Sequence, residues 1–299
     1  MTDSTFDGNF DYADMVGRNL GFVDEDQQKL IRGARIFVVG TGGMGGACIQ
    51  SLVRTGVGAF ELADFDSFEV SNFNRQVFSS IDTVGQSKAH ATADSLRKIN
   101  PEIEVRVHGE DWTQSLDDIL LRCKIVVNGM DDIAAGIHLY RRARALGCVV
   151  IDAYTSTLPS VTVVDVRDPR PEERLRFPTV GTAWDQLTPE QINGCKLKEI
   201  EYALVNSNAS NHVHFKYAAE MIQGTRKRFS FAPMVITTGN LMAFEVLRKV
   251  LGLPGGPGCR GYFFNPWTNE VEKPLAEPLA LLKKAAVKLF MMKLGSRAD

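Results

Sequence analysis

The sequence predicts an α/β fold built on a doubly wound, mainly parallel sheet, with an antiparallel C-terminal portion and a helical insertion. Short apolar runs suited to buried strands alternate with helical segments from residue 35 to residue 166. A glycine-rich turn directly follows the first of these runs, which is where such sheets bind phosphates. The alternation stops after residue 166, and a long apolar helix and a hairpin pattern come later.

These changes along the chain predict five parts. Residues 1–34 are expected to form an N-terminal arm and a helix, and residues 35–166 a Rossmann-like nucleotide-binding core. Residues 167–231 are an insertion or crossover region that shapes the substrate side. Residues 232–275 supply the closing helix and hairpin of the same domain, and residues 276–299 a C-terminal helix.

Each element follows from its local pattern. Apolar runs bounded by turn residues predict strands near 36–39, 59–63, 103–107, 124–128, 148–152 and 160–166. Helical periodicity predicts helices near 43–55, 86–99, 115–121 and 133–146, and further helices from about 189 and about 208. Asp24 begins a short capped helix, and residues 260–265 and 269–273 form a hairpin that turns at Pro266 to Asn269.

Composition limits the function classes. The chain has 299 residues, is 44% hydrophobic and carries a net charge of −2, so it can bury a large core but has no general basic surface for nucleic acid. We find no membrane span and no N-terminal apolar leader, and we expect a cytoplasmic protein. Five cysteines with no C-x-x-C pair argue against a disulfide framework and a structural zinc site.

The first strand leads into a turn that contains Gly40, Gly42, Gly43 and Gly45. Glycines allow the backbone to turn tightly and to present N–H groups to a phosphate at a helix N-terminus. Asp64 closes the second strand, where it could hydrogen-bond a ribose, but this pairing also fits any nicotinamide-dinucleotide site.

Two cations beyond Asp64 distinguish these possibilities. Arg75 and Lys88 follow the second strand, and hydride transfer has no need of them. Nucleotidyl transfer needs fixed positive charge where oxyanion charge develops. The charges therefore favour an enzyme that acts on phosphates.

The segments 64–76, 84–88 and 99–101 together resemble the ThiF/MoeB/HesA family, the bacterial relatives of ubiquitin-activating enzymes. Segments 232–245 and 261–266 also resemble that family, so the likeness covers most of the chain. It implies an enzyme that uses ATP and magnesium to adenylylate a carboxylate and releases pyrophosphate. The carboxylate is the C-terminus of a small carrier protein or peptide, or a small-molecule acid. Many relatives carry paired C-x-x-C motifs for zinc, and this chain resembles a zinc-less member.

The resemblance also implies site residues. The implied ATP-binding residues are Gly40, Gly42, Gly43, Gly45, Asp64, Asp66, Asn72, Arg75, Gln76 and Lys88. Asn72, Arg75 and Lys88 would neutralise the triphosphate, and Asp66 would support the arginines or touch the ribose.

Three further residues complete the implied machinery. Asp131 matches the aspartate that directs magnesium, although Asp132 stands where the family more often has asparagine, so it is open which carboxylate meets the metal. Arg18 resembles the arginine that family dimers insert into the partner's ATP site, which implies a homodimer. The implied catalytic residues are Arg18, Arg75, Lys88 and Asp131.

Three segments admit two interpretations each. The sequence around Cys195 predicts a polar loop. Nearby lysines would favour the thiolate, so Cys195 could be an acceptor thiol; in the other interpretation it is an incidental loop cysteine. Residues 226–228 form a basic run that reads as a solvated turn, although it could meet an anionic substrate tail. The apolar and basic tail 279–294 packs on its own subunit or its dimer mate, or lies on a membrane or another partner.

Other function classes stay open at this point. The chain could be the non-catalytic half of a heterodimeric activating enzyme, but its phosphate-handling residues are complete. A nicotinamide-dependent dehydrogenase is supported only by the glycines and Asp64. A tRNA-modifying dehydratase shares the nucleotide motifs, but the acidic balance of the chain offers no evident RNA surface.

Overall fold

The computed structural model describes residues 10–222 and 224–295, which form eight strands and eleven α-helices. The strands are β1 Arg35–Val39, β2 Ala59–Ala63, β3 Glu104–His108, β4 Ile125–Asn128, β5 Val149–Asp152, β6 Ser160–Val164, β7 Tyr262–Asn265 and β8 Glu270–Glu272. The helices are α1 Tyr12–Val16, α2 Glu25–Gly33, α3 Gly43–Thr55, α4 Lys88–Ile99, α5 Leu116–Arg122, α6 Ile133–Ala145, α7 Pro171–Arg174, α8 Pro189–Asn206, α9 Phe215–Ile222, α10 Ala232–Val250 and α11 Glu277–Gly295.

All eight strands belong to one sheet, in the order β3-β2-β1-β4-β5-β6-β7-β8. The first five strands are parallel, and β6, β7 and β8 continue the sheet antiparallel. The predicted fold class is confirmed. The strand order reverses between β1 and β4, and ligands bind at such a switch point, outside the carboxyl ends of the strands. There Val39 pairs with both Ala63 and Asn128, so the loops after β1, β2 and β4 meet at one edge.

Strand β1 is buried on both faces, which explains its uninterrupted apolar sequence. Ile36 and Val38 belong to a cluster with residues of α3 and α10, whereas Phe37 and Val39 pack with residues of α5 and α6. Because side chains alternate across a strand, these two layers cover opposite faces of the sheet. The layers hold the loops after β1 and β4 in place from both sides.

The N-terminal segment docks at the C-terminal end of α3. The Tyr12 hydroxyl donates to the Gly56 carbonyl at 2.7 Å, and the Asn19 amide donates to the Thr55 carbonyl at 3.0 Å. Helix α2 begins after Asp24, whose carboxylate accepts the backbone N–H of Gln27, so the predicted capped helix is confirmed. Residues 1–9 of the predicted arm lie outside the described residues.

The later elements match the predictions with one adjustment. The helix expected near 208 is a 3₁₀ turn at Ala209–His212 followed by α9, and the hairpin β7–β8 forms as expected. Helix α11 packs on α8, where the Lys284 ammonium lies 3.3 Å from the Glu201 carboxylate. Leu281 and Leu282 on α11 stay exposed. Residues 296–299 of the predicted tail lie outside the described residues.

None of the helices in the described residues combines the length and the apolarity needed to cross a membrane.

Candidate nucleotide site

The backbone of the glycine turn requires glycine at two positions. Gly40 has a φ of +84°, and a Cβ there would lie 2.5 Å from the Gly129 carbonyl carbon. A Cβ at Gly45 would lie 1.8 Å from the Gly40 oxygen. Helix α3 begins at Gly43 with no side-chain cap, so its first N–H groups are available to an anion.

Asp64 connects this turn to the end of β2. Its Oδ2 accepts the Thr41 backbone N–H at 2.7 Å and the Thr41 hydroxyl at 3.2 Å, and its Oδ1 accepts the Asp66 N–H at 3.0 Å. These bonds orient the carboxylate beside the glycine turn, where it remains partly exposed.

Lys88 is the first residue of α4, and its side chain is 9% exposed. Its ammonium donates to the Asp66 carboxylate at 2.8 Å, while the Asp66 side chain is 59% exposed. Asp66 therefore supports Lys88 and not an arginine. An ammonium has three N–H donors, and only one is used in the bond to Asp66, so Lys88 can also bind a second anion.

The loop that follows β2 packs onto the glycine turn. The Arg75 guanidinium donates from one nitrogen to the Ser71 carbonyl at 2.9 Å and to the Asn74 amide oxygen at 2.8 Å. A Cβ built on Gly43 would lie 3.8 Å from the Arg75 Cγ. Arg75 is thus fixed beside the start of α3 while its other donors carry no described bond.

Two neighbours of Arg75 are buried. The Asn72 side-chain oxygen accepts the Glu69 N–H at 3.1 Å, so Asn72 shapes the loop. The Gln76 side-chain amide faces Gly42, 3.4 Å from the position of a Cβ there, and its buried oxygen has no hydrogen-bond partner. An unpaired buried acceptor is costly, which points to a donor supplied by something bound at the site.

The loop after β4 brings one free carboxylate to the same edge. The Asp132 carboxylate accepts the Ala135 N–H at 3.1 Å and caps α6, whereas Asp131 is exposed and makes no hydrogen bond to any described residue. Within residues 10–222 and 224–295, no three metal-ligating side chains converge. A cation at Asp131 would therefore take its other ligands from phosphates and water, as magnesium commonly does.

Arg18 lies far from its own glycine turn. It is exposed in the 3₁₀ turn Gly17–Asn19, which docks at the C-terminal end of α3 through the Asn19–Thr55 bond. Helix α3 is 13 residues long, so about 20 Å separate the two ends. The Arg18 side chain therefore cannot reach the glycine turn of its own subunit.

The interpretation of Cys195 as a loop cysteine is wrong. Cys195 lies inside α8, is 0% exposed and packs against Ile137, Leu175 and Phe177. Burial raises the pKa of its thiol to about 11, opposite to the expected thiolate. Cys48, Cys123 and Cys148 are buried as well.

A second polar cluster, which sequence reasoning missed, adjoins the site at the ends of β4 and β5. The Asp152 carboxylate accepts the Asn128 amide at 2.8 Å and the Tyr140 hydroxyl at 2.7 Å. The Thr155 hydroxyl donates to the Glu199 carboxylate of α8 at 2.8 Å. Burial raises the pKa of Glu199 to about 7 and also raises the pKa of Asp152. These residues are distant in sequence and form no motif, so no sequence pattern predicted that they would lie together.

Comparison with known proteins gives a consistent result. The sequence model of the ThiF family matches residues 16–280. The chain is 32% identical over 145 residues to the molybdopterin-synthase adenylyltransferase of Salmonella typhimurium, a match that covers 48% of this chain and 54% of the relative. It is 31% identical over 168 residues to the tRNA threonylcarbamoyladenosine dehydratase of Escherichia coli, covering 56% of this chain and 53% of the relative.

Among solved structures, the fold is similar to that of PaaA, with a TM-score of 0.61 and 19% identity over 91% of this chain and 86% of the other. The chain spans about half the length of the two curated relatives. Since the family model covers most of its residues, this chain belongs to the ThiF family.

Proposed function

We propose that the protein is an ATP-dependent adenylyltransferase that activates a carboxylate as an acyl-adenylate. The observation that carries this proposal is the meeting of an uncapped helix N-terminus, Arg75, Lys88 and a free Asp131 at one edge of the sheet. Family membership supports it, since the Salmonella relative is named an adenylyltransferase.

The chemistry follows from charge. A carboxylate, with an ordinary pKa of about 4, is already an anion at neutral pH and needs no base. One of its oxygens attacks the α-phosphorus of ATP, the bond from that phosphorus to the bridging oxygen breaks, and pyrophosphate leaves with the electron pair. The main barrier is repulsion between carboxylate and triphosphate, which Arg75 and Lys88 reduce by neutralising the phosphates. The N-terminus of α3 binds a phosphate, and Asp64 holds the ribose.

Asp131 is the residue that we assign to magnesium. Because Asp132 is engaged as the cap of α6, Asp131 is the carboxylate of the pair that is free. The bound cation would neutralise phosphate charge.

For the substrate, we propose the C-terminus of a small carrier protein or peptide, or a small-molecule acid. The Salmonella relative is named for molybdopterin synthase. A mouse relative, 35% identical over 113 residues that cover 38% of this chain and 27% of the relative, is named a ubiquitin-like modifier-activating enzyme. Both names point to protein partners. We propose a cytoplasmic location, because the reaction consumes ATP and the cysteines of the described residues are free thiols.

We also propose a homodimer in which Arg18 enters the partner's site, because it is exposed and remote from its own. Mixing inactive Arg18→Ala and Lys88→Met subunits should restore activity, since a mixed dimer contains one complete site. No recovery after subunit exchange, shown by differently tagged chains, contradicts the trans role.

The enzyme assignment is tested by ATP binding followed by carboxylate-dependent ATP–pyrophosphate exchange, with carboxylates supplied as fractions of a cell extract. Asp131→Ala should abolish exchange, whereas the matched Asp132→Ala should keep it. Binding of NAD in place of ATP would support a dehydrogenase, and ATP binding without exchange in any fraction would support a non-catalytic subunit. Exchange that survives in Asp131→Ala removes that residue's proposed role.

A further inference from the structure

The segment 224–231, between α9 and α10, lies over the nucleotide site. The Asn74 amide donates to the Ser230 carbonyl at 3.0 Å, which ties the segment to the loop that holds Arg75. Val235, in the first turn of α10, packs against the glycine turn, 2.6 Å from where a Cβ on Gly43 would lie. The segment is thus held at both the loop after β2 and the start of α3.

Arg228 lies in this segment, two residues before Ser230. Its charge interacts with the charges of Asp131, Arg75 and Glu199, so it lies near both the nucleotide loops and α8. Arg228 is exposed, although neighbouring protein removes water from its guanidinium and lowers its pKa. Arg228 forms no hydrogen bond or ion pair with any described residue. Its guanidinium donors are therefore available to a ligand.

A second arginine, Arg174, is less accessible. Its guanidinium lies over the rings of Tyr154 and Tyr202, at 5.5 and 5.0 Å from their centroids. Two of its nitrogens are buried and have no hydrogen-bond partner among the described residues. Arg174 is thus half-buried and stacked on aromatic rings, whereas Arg228 is exposed.

We propose that Arg228 binds the reacting carboxylate of the substrate and holds it beside the α-phosphate. This inference rests on the proposed adenylyltransferase function. The phosphates already have Arg75, Lys88 and the start of α3, whereas Arg228 is a cation of the insertion whose charge interacts with Asp131 and Arg75 of the nucleotide site. A planar guanidinium matches a carboxylate with two parallel hydrogen bonds. Glu199, held by Thr155 at 2.8 Å, is a positioning residue that draws Arg228 towards the insertion side.

The test compares two adenosine probes, of which only one carries an acyl group. One is AMP, and the other is 5′-O-(N-acetylsulfamoyl)adenosine, which carries an acyl group where the substrate carboxylate reacts. Arg228→Gln should bind the acyl sulfamate about 10- to 100-fold more weakly, as expected for loss of a charge-assisted hydrogen bond, and should bind AMP and ATP unchanged. The matched control is Arg226→Gln in the same segment, because Arg226 is paired with Glu220 at 2.7 Å.

Each result decides between the alternatives. An equal loss for AMP and the acyl sulfamate makes Arg228 a phosphate ligand and overturns the inference, as does no loss for either. The inference also fails if the wild-type protein binds the acyl sulfamate no more tightly than AMP. A wild-type protein that binds neither ATP nor AMP refutes the proposed function itself, and the inference with it. Melting temperatures confirm that both variants are folded.

Discussion

Replacing Lys88 by methionine tests the charge of the nucleotide site. The side chain is 9% exposed, so its charge acts in surroundings of intermediate dielectric constant. An ammonium about 4 Å from a phosphate oxygen contributes about 4 kcal/mol at an effective dielectric constant near 20. Asp66 accepts from the same ammonium at 2.8 Å and offsets part of this gain. We therefore expect Lys88→Met to weaken ATP binding by about two orders of magnitude, or roughly 3 kcal/mol.

Isothermal titration calorimetry with ATP measures the effect. Lys98→Met is the matched control, because Lys98 is exposed near the other end of the same helix and should leave ATP binding unchanged. Asp66→Asn removes the competing carboxylate and should strengthen ATP binding. If Lys88→Met is folded and binds ATP within about threefold of the wild type, a difference below 1 kcal/mol, the phosphate role of Lys88 is refuted.

The remaining predictions concern stability. Gly45→Ala should cost about 1–3 kcal/mol and weaken ATP binding, because its Cβ would lie 1.8 Å from a backbone oxygen. Gly17→Ala should be tolerated in urea unfolding, because a Cβ there meets nothing within 4 Å and the backbone has helical φ and ψ of −56° and −30°. Arg122→Met should cost about 1.5–3 kcal/mol, because it removes two bonds of 2.7 Å from the fully buried Glu61 carboxylate, which keeps the His108 ring at 2.8 Å; a loss below 1 kcal/mol contradicts this. Burial raises the pKa of Glu199 from 4.5 to about 7, so the folded state holds the proton longer and stability falls as pH rises between these values, by up to about 3 kcal/mol. Glu199→Gln should reduce this dependence and be more stable at pH 8, and an unchanged pH profile refutes it.

Local patterns were enough to predict the nucleotide side of the fold. Helix α3 begins and ends where the glycine turn and helical periodicity predicted, at Gly43 and Thr55. The glycine requirement at Gly40 and Gly45 follows from close backbone approach within a short segment. Parallel strands bring their carboxyl ends together, so Asp64, Arg75 and Asp131 were predictable as neighbours.

Cys195 shows where local reasoning failed. Polar neighbours such as Lys196 and Lys198 suggested a loop, but the segment is helical and only one side of it is buried. That buried side packs against α6 and the residues that follow α7, distant segments that no local pattern identifies. Burial then raised the thiol pKa, which the adjacent lysines had been expected to lower.

By itself, the sequence determined the sheet, the glycine turn and the family, because these depend on short-range periodicity and on residues within single loops. The tertiary structure decided which charged groups interact. Lys88 pairs with Asp66, and Asp132 caps a helix while Asp131 makes no hydrogen bond to a described residue. The charge of Arg228, in a segment that reads as a solvated turn, interacts with that of Asp131. Electrostatic interactions depend on distance and burial, and both are set only when segments far apart in the chain pack together.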